Sequence, residues 1–445
     1  MLAAMSASSP TTSPAVAGEV VPSRSPGDAC ARSSGDACPG ALRLHAADDG
    51  ALARIRIPGG VLTPHQAEAL GQAAERLGDG ELHLTSRGNV QLRGLAPDCG
   101  AELALLLSRA GLLPSERHER VRNVVASPLS GVDGLGAMDV RPWLTGLDRL
   151  LCGSDLATEL SGRFLFAIDD GRGDVDALGA DLTLIGHSDG DALLRVGERD
   201  AVLRVPAADG PRAAVTAAEA FLDTARDTGA WRVKDLPADA AATLPDDVRR
   251  RLEQAGVSAT PRSRPRPPEA LPPTPGRVPG GGREAALSVG VPLGRLDLAQ
   301  WRLLSCGGGL RLTPWRGAVV TGIAADRADG LLGELSGAGL ITGPDSPWGG
   351  VGACIGRPGC AKSLADVRAE AGAAVGPAGR LPVYWSGCER RCGHPHGEWI
   401  DVVATPGGHR VSHVRGAVST EAATVRDDDP GALAATVAAA RGTRS

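Results

Sequence analysis

Two pairs of cysteines stand near the end of this 445-residue chain: Cys354 and Cys360 with five residues between them, and Cys388 and Cys392 with three. The pairs are 27 residues apart. Four thiols in two close pairs can converge on one inorganic centre, and thiolates are the ligands that iron–sulfur clusters require. Gly356, Pro358 and Gly359 let the first loop wrap closely, and Gly387 and Gly393 bracket the second pair. Other uses compete. A zinc knuckle usually takes pairs about two to four residues apart, so the wider gap fits it poorly. A disulfide framework needs an oxidising compartment, to which nothing in the sequence points. Isolated buried thiols would not be expected in two glycine-bracketed pairs.

The elements that must carry these loops can be read on either side. Ser363–Gly372 reads as a helix with Leu364, Val367 and Ala371 on one face. Leu381–Trp385 reads as a strand delivering the second pair, and residues 399–403 and 409–414 read as a hairpin turning at Pro406-Gly-Gly. Cys99, Cys152 and Cys306 are expected to be small, part-buried residues, and Cys30 and Cys38 passengers in a disordered segment 1–40.

Hydrophobic residues make up 42% of the chain and aromatics 2%, so the cores must be aliphatic. A net charge of −5 argues against a general nucleic-acid or membrane-surface binder. No apolar run reaches the length of a membrane span, and the start of the chain lacks a secretory pattern, so a cytoplasmic protein is expected.

The first regular segment, Ala53-Arg-Ile-Arg-Ile, alternates, placing Arg54 and Arg56 on one face of a strand. Thr63 should cap a helix that has Pro64 in its first turn and ends near Leu77. A strand at Glu81–Thr85 leads into Ser86–Leu95, where Arg87, Asn89, Gln91 and Arg93 sit two apart and are expected to share a face. The pattern returns. Pro292 and Gln300 repeat the spacing of Pro58 and Gln66, and Leu310–Gly322 repeats Leu82–Gly94. Two strand–helix–strand copies imply an internally duplicated α+β protein with pseudo-twofold symmetry. The second copy keeps the apolar frame and loses most of the polar face.

Between the copies lie a helix from Pro142 to Leu151, a strand at Ser161–Asp170 with a partner at Asp181–Gly186, and a helix from Ala213 to about Gly229. Residues 258–283 read as a Pro-rich linker; Gly280-Gly-Gly-Arg-Glu-Ala within it follows no strand and is discounted as a nucleotide site. The expected units are 41–112 and 284–345 as half-domains, 113–257 and 346–430 as larger α+β domains, and 431–445 as a tail.

With the Cys-x5-Cys and Cys-x3-Cys spacing, Thr85-Ser-Arg-Gly-Asn and Arg122-Asn123 on the page, the chain resembles the sirohaem-dependent nitrite and sulfite reductase superfamily. The resemblance implies two ferredoxin-like half-domains interleaved with two larger domains. It also implies a [4Fe-4S] cluster on Cys354, Cys360, Cys388 and Cys392, and a flat tetrapyrrole held by Arg54, Arg56, Arg87, Asn89, Gln91, Arg93, Arg122 and Asn123. Guanidinium groups suit such a ligand, whose rim carries about eight carboxylates, because they bind carboxylates bidentately.

One segment departs from the reductases. Where they place two lysines against the anionic substrate, this chain has Arg163 and Leu165. With Arg163–Asp174 and Leu312-Thr-Pro-Trp-Arg, this departure resembles the precorrin-3B synthase branch. That branch implies precorrin-3A and O2 as substrates, Arg163 in a catalytic position, a mononuclear non-haem iron, and a separate electron-donor protein. Sirohaem belongs to the alternative, a nitrite or sulfite reductase; a non-catalytic tetrapyrrole-binding protein is the other.

Overall fold

The computed structural model describes residues 40–442 apart from 270, 281–282, 396, 417 and 427–428. The disordered segment expected at 1–40, with Cys30 and Cys38, lies outside the described residues except for Gly40, as do His396 and the last residues of the expected tail. The chain is α+β, and its four sheets comprise two of five strands at the centre and two flanking ones.

The central pair repeats one plan. Thr63 and Gln66 form a reciprocal capping box that starts the helix Pro64–Leu77, and Asp297 and Gln300 form the same box ahead of Leu298–Leu304. Each helix is preceded by a tight turn, Pro58–Gly60 or Pro292–Gly294. Both turns enter the left-handed region, at Gly59 (φ 61°) in the first copy and Leu293 (φ 53°) in the second. Beyond the helix, Glu81–Leu84 pairs with Val90–Leu95 as Gly309–Leu312 pairs with Gly317–Ala324.

Neither copy closes its own sheet. The strand Val61–Leu62 of the first pairs with Gly309–Leu312 of the second, and Arg295–Asp297 of the second pairs with Glu81–Leu84 of the first. Trp301 joins the two helices, its indole N–H donating to Ala67 O at 2.8 Å. One aliphatic core therefore runs from Ile55 through Leu70 to Leu304 and Leu335, and the two expected half-domains are one packing unit.

The flanking domain after the first copy has a six-stranded sheet. Val124–Ala126, Phe166–Asp169 and Leu182–Gly186 run parallel, and Ala192–Val196, Ala201–Val205 and Thr260–Ser263 continue antiparallel. The helices Arg141–Gly153 and Gly210–Ala225 pack together in its core through residues such as Trp143, Leu147 and Phe221. The flanking domain after the second copy repeats the opening: Val351–Ala353, Val383–Ser386 and Glu398–Thr405 run parallel, followed by antiparallel Gly408–Arg415 and Val418–Arg426.

Several boundaries differ from expectation. The region read as a structureless linker contributes Thr260–Ser263 to the first flanking sheet and Gly276–Arg277 to the second central one. Proline suits such edge positions because no ladder hydrogen bond is asked of it. The helix read from Ser363 begins at Val367, capped by Asp366, and Leu364 is 43% exposed rather than packed. The segment Ser161–Leu165 is a turn before the strand. The short Ala-rich helix also expected near the end is Pro430–Arg441, and it belongs with the second flanking domain rather than with a tail, since Leu433 and Val437 enter that core.

Candidate functional site

Each cysteine loop is an extension of a strand end. The Cys354 amide continues the parallel ladder by donating to Trp385 O at 2.9 Å, which fixes the first thiol. One residue beyond the neighbouring strand, the Gly387 amide donates to Cys354 Sγ at 3.2 Å. Position 387 has no room for a side chain: a Cβ there would lie 1.7 Å from Ser363 Oγ. The second loop is held by Tyr384, whose hydroxyl donates to Cys392 O at 2.6 Å, and by Arg391, paired with Asp401 at 2.6 Å.

None of the four cysteines is bridged; Cys354, Cys360 and Cys388 are half-buried and Cys392 is exposed. Burial pushes the Cys354 thiol up, the Gly387 and Gly356 amides draw it back, and the nearby Cys392 and Cys388 push it up again. The sulfurs of Cys354, Cys388 and Cys392 thus lie near one another. Among the described residues no three of the four come within 4.8 Å of one another. A single tetrahedral zinc, with bonds of about 2.3 Å, would hold them within about 4 Å. An amide donor to sulfur, glycines that permit close approach, and open spacing fit a larger thiolate-ligated core.

The central sheets hold this loop from outside. Arg93 forms a bidentate pair with Asp49, both contacts at 2.7 Å, and its guanidinium also donates to Gly359 O at 2.9 Å. Asp48 accepts the Ala361 amide. Arg93, expected to clamp a ligand carboxylate, uses two of its guanidinium nitrogens, Nε and Nη2, to hold Asp49 and the cysteine loop.

The other arginines divide. Arg56, 4% exposed, donates to Gly162 O at 3.2 Å, and Arg87 donates to the same oxygen at 3.4 Å. Arg54 reaches Gln91 Oε1 at 3.5 Å. Two strand ends of the first half-domain thus present guanidinium groups to the loop that carries Arg163. Arg163 is exposed, its guanidinium 4.4 Å from the ring centre of Trp231. Leu165 is buried with Val125, Ala167, Val175 and Ala180, and Trp315 of the second half-domain packs against them.

Arg122 belongs elsewhere. It is buried, pairs with Asp148 at 2.7 and 2.9 Å, and donates to Leu112 O at 2.9 Å. With those donors committed internally, Arg122 is withdrawn from the expected clamp. Asn123 likewise donates to Phe164 O at 2.8 Å and braces the Arg163 loop from behind. The four residues 87, 89, 91 and 93 do not share a strand face. Thr85–Asn89 is a turn with Gly88 at φ 65°, the strand starts at Val90, and Asn89 Oδ1 accepts the Ile57 amide.

Among the described residues no ligand set for a mononuclear iron emerges. Asp79, Glu81 and His83 have metal-ligand spacing, but Arg368 lies 3.2 Å from His83 Nδ1. A guanidinium only donates, so a neutral His83 must carry its proton on Nε2, which closes that nitrogen to a metal. Glu81 is also paired with Arg295. His394 stacks on Trp399 at 5.4 Å. Asp169, Asp170 and Asp174 form a second cluster, yet Asp169 accepts four backbone amides and Asp170 pairs with Arg172. These described clusters do not fit the iron.

Arg368, Asp48 and Asp49 escaped sequence reasoning because their partners are distant in sequence. Tyr384, the chain's one tyrosine, four residues before Cys388, carried a signal that could have been used.

Comparison with known proteins shows what the chain is similar to. Residues 45–104 match the nitrite/sulfite reductase ferredoxin-like half domain. A precorrin-3B synthase of Sinorhizobium sp is 26% identical over 394 residues, spanning 84% of this chain and 81% of that protein. A ferredoxin–nitrite reductase of Synechococcus elongatus is 35% identical over 127 residues, but these are only 27% of this chain and 25% of the reductase. The structure of the Mycobacterium tuberculosis NirA protein superposes with a TM-score of 0.65 at 19% identity, covering 86% of this chain and 79% of NirA, which establishes the shared fold. The chain thus carries one segment like the nitrite/sulfite reductase ferredoxin-like half domain, shares the fold of NirA, and is similar over most of its length to a precorrin-3B synthase.

Proposed function

We propose that the protein is a precorrin-3B synthase: a monooxygenase that hydroxylates a meso carbon of precorrin-3A with O2 and closes a lactone with a ring acetate, in aerobic cobalamin biosynthesis. One oxygen atom enters the product, and two electrons and two protons reduce the other to water. The observation that carries this reading is the meeting of Arg56 and Arg87 at the Gly162 carbonyl, beside Arg163 and with Leu165 turned into an apolar cluster.

Arg54, Arg56 and Arg87 orient the ring by its carboxylates, assisted by Gln91. Asn89 and Asn123 brace the turns that carry them. Arg163, held over Trp231, sits where a cation can steady charge developing beside the reacting carbon. Leu165 and Trp315 exclude water there. Cys354, Cys360, Cys388 and Cys392 would hold a [4Fe-4S] cluster, which supplies single electrons delivered by a separate donor protein. Such chemistry belongs in the cytoplasm, where thiols stay reduced. No described helix is long and apolar enough to cross a membrane.

The test is turnover of precorrin-3A with labelled O2 and a reductant, using anaerobically purified protein. One labelled atom in a hydroxylated lactone is expected. Stoichiometric sirohaem in the protein, with sulfite or nitrite reduction at ordinary enzyme rates, would overturn the reading in favour of the reductase.

A further inference from the structure

Arg368 is a half-buried cation on the helix Val367–Ala373, beside the first cysteine loop. Its Nε donates to Cys354 O at 3.2 Å, and its Nη1 lies 3.2 Å from His83 Nδ1. Among the described residues no carboxylate pairs with it. The surroundings make this costly. Two further arginines, Arg295 and Arg93, lie nearby. A charge drawn out of water needs something to compensate it. Asp79 and Glu81 lie on the far side of the His83 ring, their oxygens 3.9 and 3.7 Å from Nε2, too remote from Arg368 to serve.

The other half of the molecule supplies a comparison. Arg311, which takes the place of His83 in the second copy, is buried and donates to two carbonyls, Pro128 O and Ser130 O, both at 2.8 Å. Those carbonyls belong to the loop after Val124–Ala126, the counterpart of the cysteine loop after Val351–Ala353. There a pair of carbonyls satisfies the guanidinium. Arg368 has instead a single carbonyl and a neutral ring nitrogen, and the carbonyl belongs to a cysteine.

We propose that Arg368 is the counter-charge of the cluster carried by the four cysteines, a positioning residue that favours the one-electron reduced form and so raises the reduction potential. The inference rests on the [4Fe-4S] reading. Four thiolates around a 2+ core leave a net charge of about −2, and an added electron makes it about −3. No bond forms or breaks and no proton moves: one electron enters from dithionite. A fixed cation at the Cys354 carbonyl stabilises the more negative state more strongly.

Arg368→Gln and Arg368→Lys should be purified anaerobically with the unaltered protein. Iron and sulfide are assayed, and the clusters titrated with dithionite under EPR. In Arg368→Gln the reduced-to-oxidised ratio at a fixed potential should fall about tenfold, a shift of about 59 mV for one electron, while Arg368→Lys stays close to the unaltered protein. A full cluster with an unchanged midpoint in Arg368→Gln overturns the proposal. Should Arg368→Gln lose its cluster, Arg368→Lys decides: a cluster retained at the original potential supports the counter-charge, and loss in both assigns Arg368 to loop structure alone. Absence of iron and sulfide from the unaltered protein would instead sink the cluster reading.

Discussion

The Gly387 amide donates to Cys354 Sγ at 3.2 Å, and this contact has a twin. In the first flanking domain the Asp170 amide donates to Ser127 Oγ at 3.0 Å. Ser127 and Cys354 each follow the first parallel strand, and their amides donate to Ile168 O and Trp385 O. The two flanking domains therefore build the same corner. In one it exposes thiols; in the other it is filled by Ser127, Asp170 and Asp174.

The corner's tolerance can be tested at Gly387. A methyl group there collides with Ser363 Oγ and with Ser363 Cα at 3.2 Å, so the loop behind Cys360 must shift. Gly387→Ala should lower bound iron and sulfide severalfold, as Cys354→Ala should, while far-ultraviolet circular dichroism stays close to normal. Full cluster content in Gly387→Ala would show that the Cys354 contact is dispensable.

Arg122 offers a prediction of the opposite kind. Its bidentate pair with Asp148 and its bond to Leu112 O tie the helix Arg141–Gly153 to the end of the first half-domain. Arg122→Ala should cost about 2–4 kcal/mol in chemical denaturation, as expected when one partner of a largely buried pair is removed. Tetrapyrrole affinity in the folded protein should be unchanged. A large loss of affinity with no loss of stability would return Arg122 to the ligand site.

These residues show what was legible in the sequence. The cysteine loops, the duplication and both Pro-to-Gln spacings could be read because each is a local pattern, and caps and turn glycines have local causes. Leu293 and Arg316 could not be read: each adopts a left-handed φ where the first copy has Gly59 and Gly88, a conformation that non-glycine side chains rarely take. Nor could the sequence distinguish Arg56 from Arg122. Both sit in motifs and both are buried, but Asp148 lies 26 residues from Arg122 and no periodicity announces it. Strand exchange between the half-domains likewise depends on contacts more than 200 residues apart.

The counterpart corner should make stability depend on pH. Asp174 is raised to about 7, first by burial and then by Asp169, with Ser127 pulling the other way. Its folded value lies above its unfolded one, so the fold gains from the protonated form. That stability is complete below about pH 4 and is lost as pH rises through about 7. One unit of displacement corresponds to about 1.4 kcal/mol. Asp174→Asn should therefore flatten the fall in stability between pH 5 and about 8, followed by urea denaturation. An identical slope in the variant would mean that Asp174 is ionised throughout.

The last prediction concerns Leu165, beside Arg163 in the first flanking domain. Its side chain lies with Val125, Ala167 and Val175, covered by Trp315, while its amide donates to Asp181 Oδ2 at 2.8 Å. Restoring a lysine there would bury an ammonium among apolar groups, and the Asp181 carboxylate is already occupied by Arg232 and the Val233 amide. Leu165→Lys should lose on the order of 3 kcal/mol, as for an unpaired buried charge, and should gain no sulfite or nitrite reduction. Leu165→Met keeps the volume and should cost less than about 1.5 kcal/mol, with turnover of precorrin-3A retained. Denaturation and turnover of both variants separate the outcomes. Reductase activity in Leu165→Lys would mean that a single side chain distinguishes the two chemistries and that the surrounding apolar cluster has no part in excluding anions.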